Sequence, residues 1–149
     1  MTRESYLHHV FLSYSRKDSK TMRRVRDGLR AEGLTIWTDE TGLEPGTPDW
    51  EEAIAEAIKG SQCMVVLLSP DAAKSKWVGT ETAYAEERGF RIFPFLVWGD
   101  PLDAVPFRLT TYHRIDARSN YSGAIRMLIE SVCKYLGVES LSAQRIAKI

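Results

Sequence analysis

Cysteine is scarce in this 149-residue chain: Cys63 and Cys133 lie far apart and form no CxxC pair. Neither a disulfide framework nor a zinc site is expected, and a reducing cytoplasm is the simplest compartment. Histidine is equally scarce, and His8, His9 and His113 have no metal-ligand spacing, so no metal is expected. Net charge is absent too, with 20 Lys+Arg against 20 Asp+Glu. A dedicated nucleic-acid binder would show a basic footprint. The balance also leaves little long-range repulsion between copies, which favours self-association. Long apolar runs are missing. The longest, residues 63–68, is strand-sized and far below the ~18 residues of a membrane span. Met1-Thr-Arg-Glu-Ser-Tyr6 leads into no signal-peptide apolar region. A soluble chain that touches neither membrane nor nucleic acid is expected.

The length suits one domain by the soft prior of roughly 150 residues. The expected domain spans 1–149, with a core at 8–137 and a tail or linker at 138–149. Residues 8–14 (HHVFLSY) are β-branched and aromatic and end in a polar cluster, which predicts a strand and a loop. Met22, Val25 and Leu29 recur at helical spacing, with Asp18 or Ser19 as cap and Gly33 as stop. Residues 34–38 (LTIWT) predict a second strand, followed by a Gly/Pro-rich loop over 39–48. Thr47 and Pro48 suit the start of a helix carrying Trp50, Ile54, Ala57 and Ile58 on one face.

Residues 63–68 (CMVVLL) read as a strand buried on both faces of a parallel sheet. A helical stretch over 71–87 should break near Lys76 and Trp77. A strand at 91–98 contains Pro94, which suggests a bulge or an edge position. A loop over 99–108, a short strand over 111–115 and a helix over 121–136 complete the core. This alternation predicts an α/β fold with an open parallel sheet and helices on both faces. Ligands of such sheets sit at the carboxyl ends of the strands. The loops after Tyr14, Thr38, Leu68 and Trp98 are therefore the informative ones.

Several signatures are absent from those loops. No GxGxxG follows the first strand, no GxxxxGK[ST] occurs, and no GxSxG marks a hydrolase elbow. The acidic cluster of a phosphoacceptor receiver is missing, since Ser13-Tyr14-Ser15 and Ser69-Pro70 stand in those places. What is present is an ordered set. Phe11-Leu-Ser-Tyr-Ser-Arg-Lys-Asp18 closes the first strand. Ile36-Trp-Thr-Asp39 closes the second and opens Thr41-Gly-Leu-Glu-Pro-Gly46. Leu67-Leu-Ser-Pro70 closes the third, and Ser75-Lys-Trp-Val-Gly-Thr-Glu81 follows.

This set resembles the TIR (Toll/interleukin-1 receptor-like) domain family over nearly the whole chain. The resemblance implies a flavodoxin-like, five-stranded parallel sheet. It implies one of two activities: homotypic assembly through the loop at 41–48, or cleavage of NAD+ at the nicotinamide–ribose bond with a linear or cyclic product. Glu81 matches the catalytic glutamate of the S-x-W-x3-E motif. The family pattern places Phe11, Ser13, Ser15, Arg16, Trp37, Asp39, Ser69 and Trp77 around the ligand, with NAD+ as substrate and no further cofactor. Val78 stands where relatives often carry Cys, and Thr80 and Thr82 flank the glutamate where many carry larger residues. The carboxylate itself is retained. The overall character resembles a bacterial immune or stress module.

The chemistry suits these residue types. Nicotinamide leaves as a neutral base, so the step needs a stabiliser for a ribosyl oxocarbenium ion, and one carboxylate can supply it. Arg16 can pair with a phosphate or with the Glu81 carboxylate, and an aromatic such as Trp37 or Phe11 can stack on adenine or nicotinamide. The sequence offers no convincing second carboxylate beyond Asp39, a weak candidate, so a paired acid/base mechanism is not supported. Each residue also has a plainer reading. Trp77 and Trp37 can be core, Arg16 a surface residue, Ser13 and Ser15 turn residues, and Asp39 a loop initiator. A non-catalytic TIR interaction module is the alternative, and a sensor that binds an NAD-like ligand without turnover is a third reading.

Overall fold

The computed structural model describes residues 6–39 and 50–148, with Trp50 described by its backbone alone. Strands and helices alternate: β1 (His8–Ser13), α1 (Ser19–Ala31), β2 (Ile36–Trp37), α2 (Trp50–Lys59), β3 (Ser61–Leu68), α3 (Pro70–Lys74), α4 (Lys76–Glu87), β4 (Ile92–Leu96), α5 (Pro101–Ala104), β5 (Ile115–Asp116), α6 (Tyr121–Leu136) and α7 (Leu141–Ala147). Short 3-10 turns sit at Arg16–Asp18 and Phe107–Leu109. The strands form one parallel sheet in the order β2-β1-β3-β4-β5. This is the expected flavodoxin-like order. It reverses direction between β1 and β3, which opens a crevice at their carboxyl ends.

Period-two alternation along the strands sorts the core. Val10, Leu12, Cys63, Val65, Leu67 and Phe95 face one way, against Met22, Val25 and Leu29 of α1 and Leu128, Val132 and Leu136 of α6. Phe11, Met64, Val66, Leu68 and Leu96 face the other way, against Ile54 and Ile58 of α2 and Val78 and Ala85 of α4. Fully burying one such side chain stabilises by about 1.5–3 kcal/mol. A one-residue slip would turn every one of them over, so the register of β1 on β3 is firmly set. That register also puts Ser13, two residues beyond Phe11, on the α4 side. Cys63 and Cys133 are buried free thiols. Burial pushes the Cys63 thiol up to about 12, so it is inert at neutral pH.

Several sequence expectations shift in the structure. Pro94 makes no bulge and stays in register with Val66. The Arg91 carbonyl accepts from Met64 on the β3 side, and the Leu96 carbonyl accepts from Ala117 on the β5 side. Alternation therefore turns the Pro94 nitrogen toward β5, and β5 pairs only with Phe95 and Leu96. The missing N–H faces a local edge, and no ladder bond is lost. The fifth strand lies at Ile115–Asp116 and not at 111–115, because Tyr112 is held in a turn by the Leu109 carbonyl. The stretch 99–108 contains α5, capped by Asp100.

The tail after Gly137 is helical as well. Gly137 ends α6 at φ 70°, a left-handed conformation suited to glycine. Ser140 then caps α7, and Glu32 Oε1 accepts from the backbone N–H and hydroxyl of Ser142 at 2.9 and 2.8 Å. The tail is thus docked on the end of α1. The predicted cap at Thr47 and Pro48 and the loop at 41–48 lie outside the described residues. Among the described residues no helix is long and apolar enough to cross a membrane.

Candidate functional site

The site is built where β1 ends under α4. Ser75 caps α4 by accepting from the Val78 N–H at 3.2 Å, and it also ends α3, which fixes the break at that residue. The buried stripe of α4 is Val78, Glu81, Thr82 and Ala85. That is ordinary apolar spacing for a core-facing helix. Glu81 therefore carries a carboxyl group into a position that the pattern reserves for an apolar side chain. It is 4% exposed, and its Oε1 accepts from the Ser13 hydroxyl at 2.8 Å.

Burial dominates its electrostatics. Desolvation raises the Glu81 pKa from 4.5 to about 8, the Ser13 hydrogen bond opposes this, the Asp39 carboxylate adds to it, and Arg16 opposes it. The structure thus brings Glu81, Ser13, Asp39 and Arg16 into one electrostatic neighbourhood. Asp39 is half-buried, and its Oδ1 has no hydrogen-bond partner among the described residues. It is a second carboxylate close enough for Glu81 to feel its charge.

Two cavities flank this neighbourhood. A slot of about 230 Å³ runs between α2 and α4, with Glu81, Trp77, Tyr84, Ile54 and Ile58 in its walls. A cleft of about 330 Å³ is lined by Ser15, Arg16, Asp39, Lys74, Ser75 and Trp77. Trp77 belongs to both walls and is 41% exposed, so it is not the core residue that the plainer reading allows. A larger groove of about 600 Å³, lined by Arg91, Tyr112, His113 and Tyr135, contains none of the predicted site residues.

The remaining predicted residues divide by position. Phe11 is buried, and its ring stacks on Trp37 at 4.9 Å and 18°. Trp37 lies over it and is only partly buried, so of the two it is Trp37 that a ligand can reach. The Ser15 hydroxyl caps the 3-10 turn by accepting from the Lys17 N–H. Ser69 is fully buried behind the cleft. Its hydroxyl donates to Asp18 Oδ2 at 2.5 Å and accepts from the Ala72 N–H at 3.0 Å.

Sequence reasoning passed over three residues. Asp18 is, with Ser19, a candidate helix cap in the sequence, but its side chain makes no capping bond and also accepts from Trp98 Nε1 at 2.8 Å. Trp98 itself carried no motif. Tyr84 stands three residues after Glu81 on the same helical face, a signal available in the spacing. Among the described residues no group of three or more His, Cys, Asp or Glu is arranged to hold a metal ion.

Comparison with known proteins agrees with this architecture. Residues 10–129 match the family model described as TIR domain. The TIR domain of the Toll-related receptor TRR-2 from Hydra magnipapillata is 20% identical, with a TM-score of 0.71, and the match covers 84% of this chain and 98% of that one. The TIR domains of the activated Roq1 resistosome, which directly recognises the pathogen effector XopQ, are 21% identical with a TM-score of 0.63, covering 87% and 99%. A TIR-STING receptor from C. gigas, in complex with 2',3'-cGAMP, is 22% identical with a TM-score of 0.74, covering 89% of this chain and 41% of that one. At these identities the likeness is one of fold. A comparison with curated proteins finds no match.

Proposed function

From the premise that this chain belongs to the TIR domain family, we propose that it is an NAD+ glycohydrolase that cleaves the nicotinamide–ribose bond. The observation that carries this reading is Glu81: a carboxyl group set into an apolar helix stripe, held by Ser13, beside a cleft walled by Trp77, Arg16 and Asp39. Placing an ionisable group there is costly, and nothing in the packing needs it. Such groups mark functional sites more often than structural ones.

In this reading the ribose lies against Glu81. The C1′–N bond breaks, its electron pair leaves with nicotinamide, and positive charge develops on the ribosyl ring. The Glu81 carboxylate stabilises that charge in a poorly solvated site, where the interaction is strong. Water, or a nucleophile of the substrate in a cyclising reaction, attacks C1′ and loses its proton to Glu81 or solvent. Arg16 pairs with the diphosphate and Trp37 and Trp77 offer aromatic faces. Ser13 orients the carboxyl group. Copies assemble through the loop at 41–48, which completes a neighbouring site, and the setting is cytoplasmic immune or stress signalling.

One observation favours the alternative of a non-catalytic assembly module. Leu102 and Phe107, on α5 and the turn after it, are 92% and 93% exposed. Large apolar side chains held that far into solvent suit a protein contact. NAD+ consumption by wild type and Glu81→Ala, at low and high protein concentration and with product mass determined, separates the two. Nicotinamide release by the wild type alone supports the enzyme. Equal inactivity of two folded proteins at every concentration supports the module.

A further inference from the structure

Among the described residues two buried side chains carry a carboxylic acid, Glu81 and Asp18. The mechanism uses the first and not the second. Asp18 is 6% exposed and closes the 3-10 turn that follows β1. It occupies the N-cap position of α1 yet leaves the helix without a side-chain cap. A capping aspartate would satisfy a free N–H of the first turn. Here both carboxylate oxygens are turned away. Oδ2 accepts from Ser69, the first residue after β3, and Oδ1 accepts from the Trp98 indole, just past the end of β4.

One carboxylate therefore ties together the loops that follow β1, β3 and β4, the three central strands. The Trp98 end of the tie is fixed independently. Gly99 has φ 95°, and a Cβ there would lie 2.5 Å from Pro70 Cδ, so the chain passes directly over the start of α3. The Ser69 end is fixed by the Ala72 N–H. The front of the same turn holds Ser15 and Arg16, which line the cleft with Asp39 and Trp77. The Asp18 N–H also donates to the Ser15 carbonyl at 2.7 Å, so the back and front of the turn move together.

We propose that Asp18 is a positioning residue: held by Ser69 and Trp98, it sets the Ser15–Arg16 turn so that Arg16 meets the anionic part of the substrate. The proposal rests on the NAD+ reading for the identity of that substrate, but the positioning itself does not depend on turnover. Asp18 touches no ligand and acts through Arg16. Charge-assisted hydrogen bonds of this kind are the stronger ones in proteins. Losing the indole donor loosens the turn and leaves Glu81 and Ser13, on the neighbouring face, in place.

The test uses the whole chain, 15N-labelled, as wild type, Trp98→Phe and Trp98→His. Phenylalanine removes the indole N–H, and histidine returns a ring N–H. Two quantities are read: the amide resonances of Ser15 and Arg16, and KM and kcat for NAD+. Trp98→Phe is expected to shift both amides and raise KM roughly ten-fold with kcat within about two-fold, the scale of one lost charge-assisted hydrogen bond. Trp98→His is expected to restore both in part. Unmoved Ser15 and Arg16 amides in a folded Trp98→Phe protein overturn the proposal, as does an active variant with unchanged KM. If the wild type shows no turnover at all, the enzyme reading fails and the amide shifts still decide the positioning. Should Trp98→Phe not fold, Asp18→Asn poses the same question, because its amide offers a second donor to one of the two donors it faces.

Discussion

The Ser13 hydroxyl and the Glu81 carboxyl group, 68 positions apart in sequence, meet at 2.8 Å inside the protein. A strand residue flanked in sequence by the buried Leu12 and Tyr14 thus supplies the hydrogen bond that Glu81 Oε1 accepts. The pair sets the charge state of the site. Desolvation holds the proton on Glu81 up to a pH of about 8, and Ser13 works against it by favouring the ionised form.

If the carboxylate is the working form, kcat/KM for NAD+ rises with pH, reaches half its maximum near 8 and levels off about one unit higher, since this ratio reports the free enzyme. Ser13→Ala removes a bond that lowers the pKa, so its rising limb moves to higher pH. A pH–rate profile of the two proteins checks both statements. A flat profile from pH 6 to 9 in the wild type would contradict them.

Glu81 also costs stability in a defined pH window. Its folded pKa of about 8 exceeds the ordinary 4.5, so between those values the folded state holds a proton that the unfolded chain releases. Stability is highest below 4.5, falls as pH rises through this window and is flat above it. Glu81→Gln removes the titration. The variant should match the wild type near pH 4.5 and exceed it at pH 9 by up to about 5 kcal/mol, while nicotinamide release drops by roughly 10²-fold or more. Denaturant melts at the two pH values measure the first part. Equal stability at pH 9 would show that the carboxyl group is not held in its neutral form.

Trp77 forms part of both cavity walls but is 41% exposed. Trp77→Ala should therefore cost less than a core aromatic, about 1 kcal/mol, and raise KM for NAD+. Trp77→Phe should recover most of the binding. A loss of several kcal/mol in a thermal melt would return Trp77 to the core.

Assembly through the loop at 41–48 predicts that specific activity rises with protein concentration. Leu43→Ala and Gly46→Ala should lower that rise and leave the thermal melt unchanged. Light scattering beside the activity assay decides whether the two track each other. Unaltered turnover in a well-folded Leu43→Ala protein removes the idea.

Glu32 holds α7 through its two bonds from Ser142. Glu32→Ala should release that helix, cost about 1–2 kcal/mol and leave Glu81 chemistry intact. Hydrogen exchange localised to residues 141–147 is the direct readout.

The sequence carried more of the frame than of the site. Periodicity located α1, β3 and α6 because Met22, Val25 and Leu29, or the run ending at Leu68, report local burial directly. The S-x-W-x3-E spacing located Glu81, and the strand motif located Ser13, but nothing local said that they touch. Asp18 looked like a cap since cap residues are recognised from their own neighbours. Its partners come from 51 and 80 positions away, where no spacing rule reaches. For Trp77 the sequence leaves both a ligand wall and the core open, because aromatic composition cannot tell a wall from an interior. Pro94 was read as an edge or bulge residue, and its physical reason was right in part. The strand is interior, but on the side that the nitrogen of the buried Pro94 faces the ladder is left open, without a strand partner.

That open side bears on how copies of the domain can meet. Both outer strands, β2 and β5, are two residues long. Along β4, the flank that β5 leaves bare presents a proline with no hydrogen to give. On the other margin the outward Ile36 carbonyl is already taken by Arg30 Nη2 at 3.2 Å. Among the described residues a strand from a neighbouring molecule finds almost no ladder to extend on either side. The sheet is sealed against growth by strand addition, and any filament or ring of these domains must be joined by its helices and loops. Such joints can form and come apart without the near-irreversible stability of stacked strands.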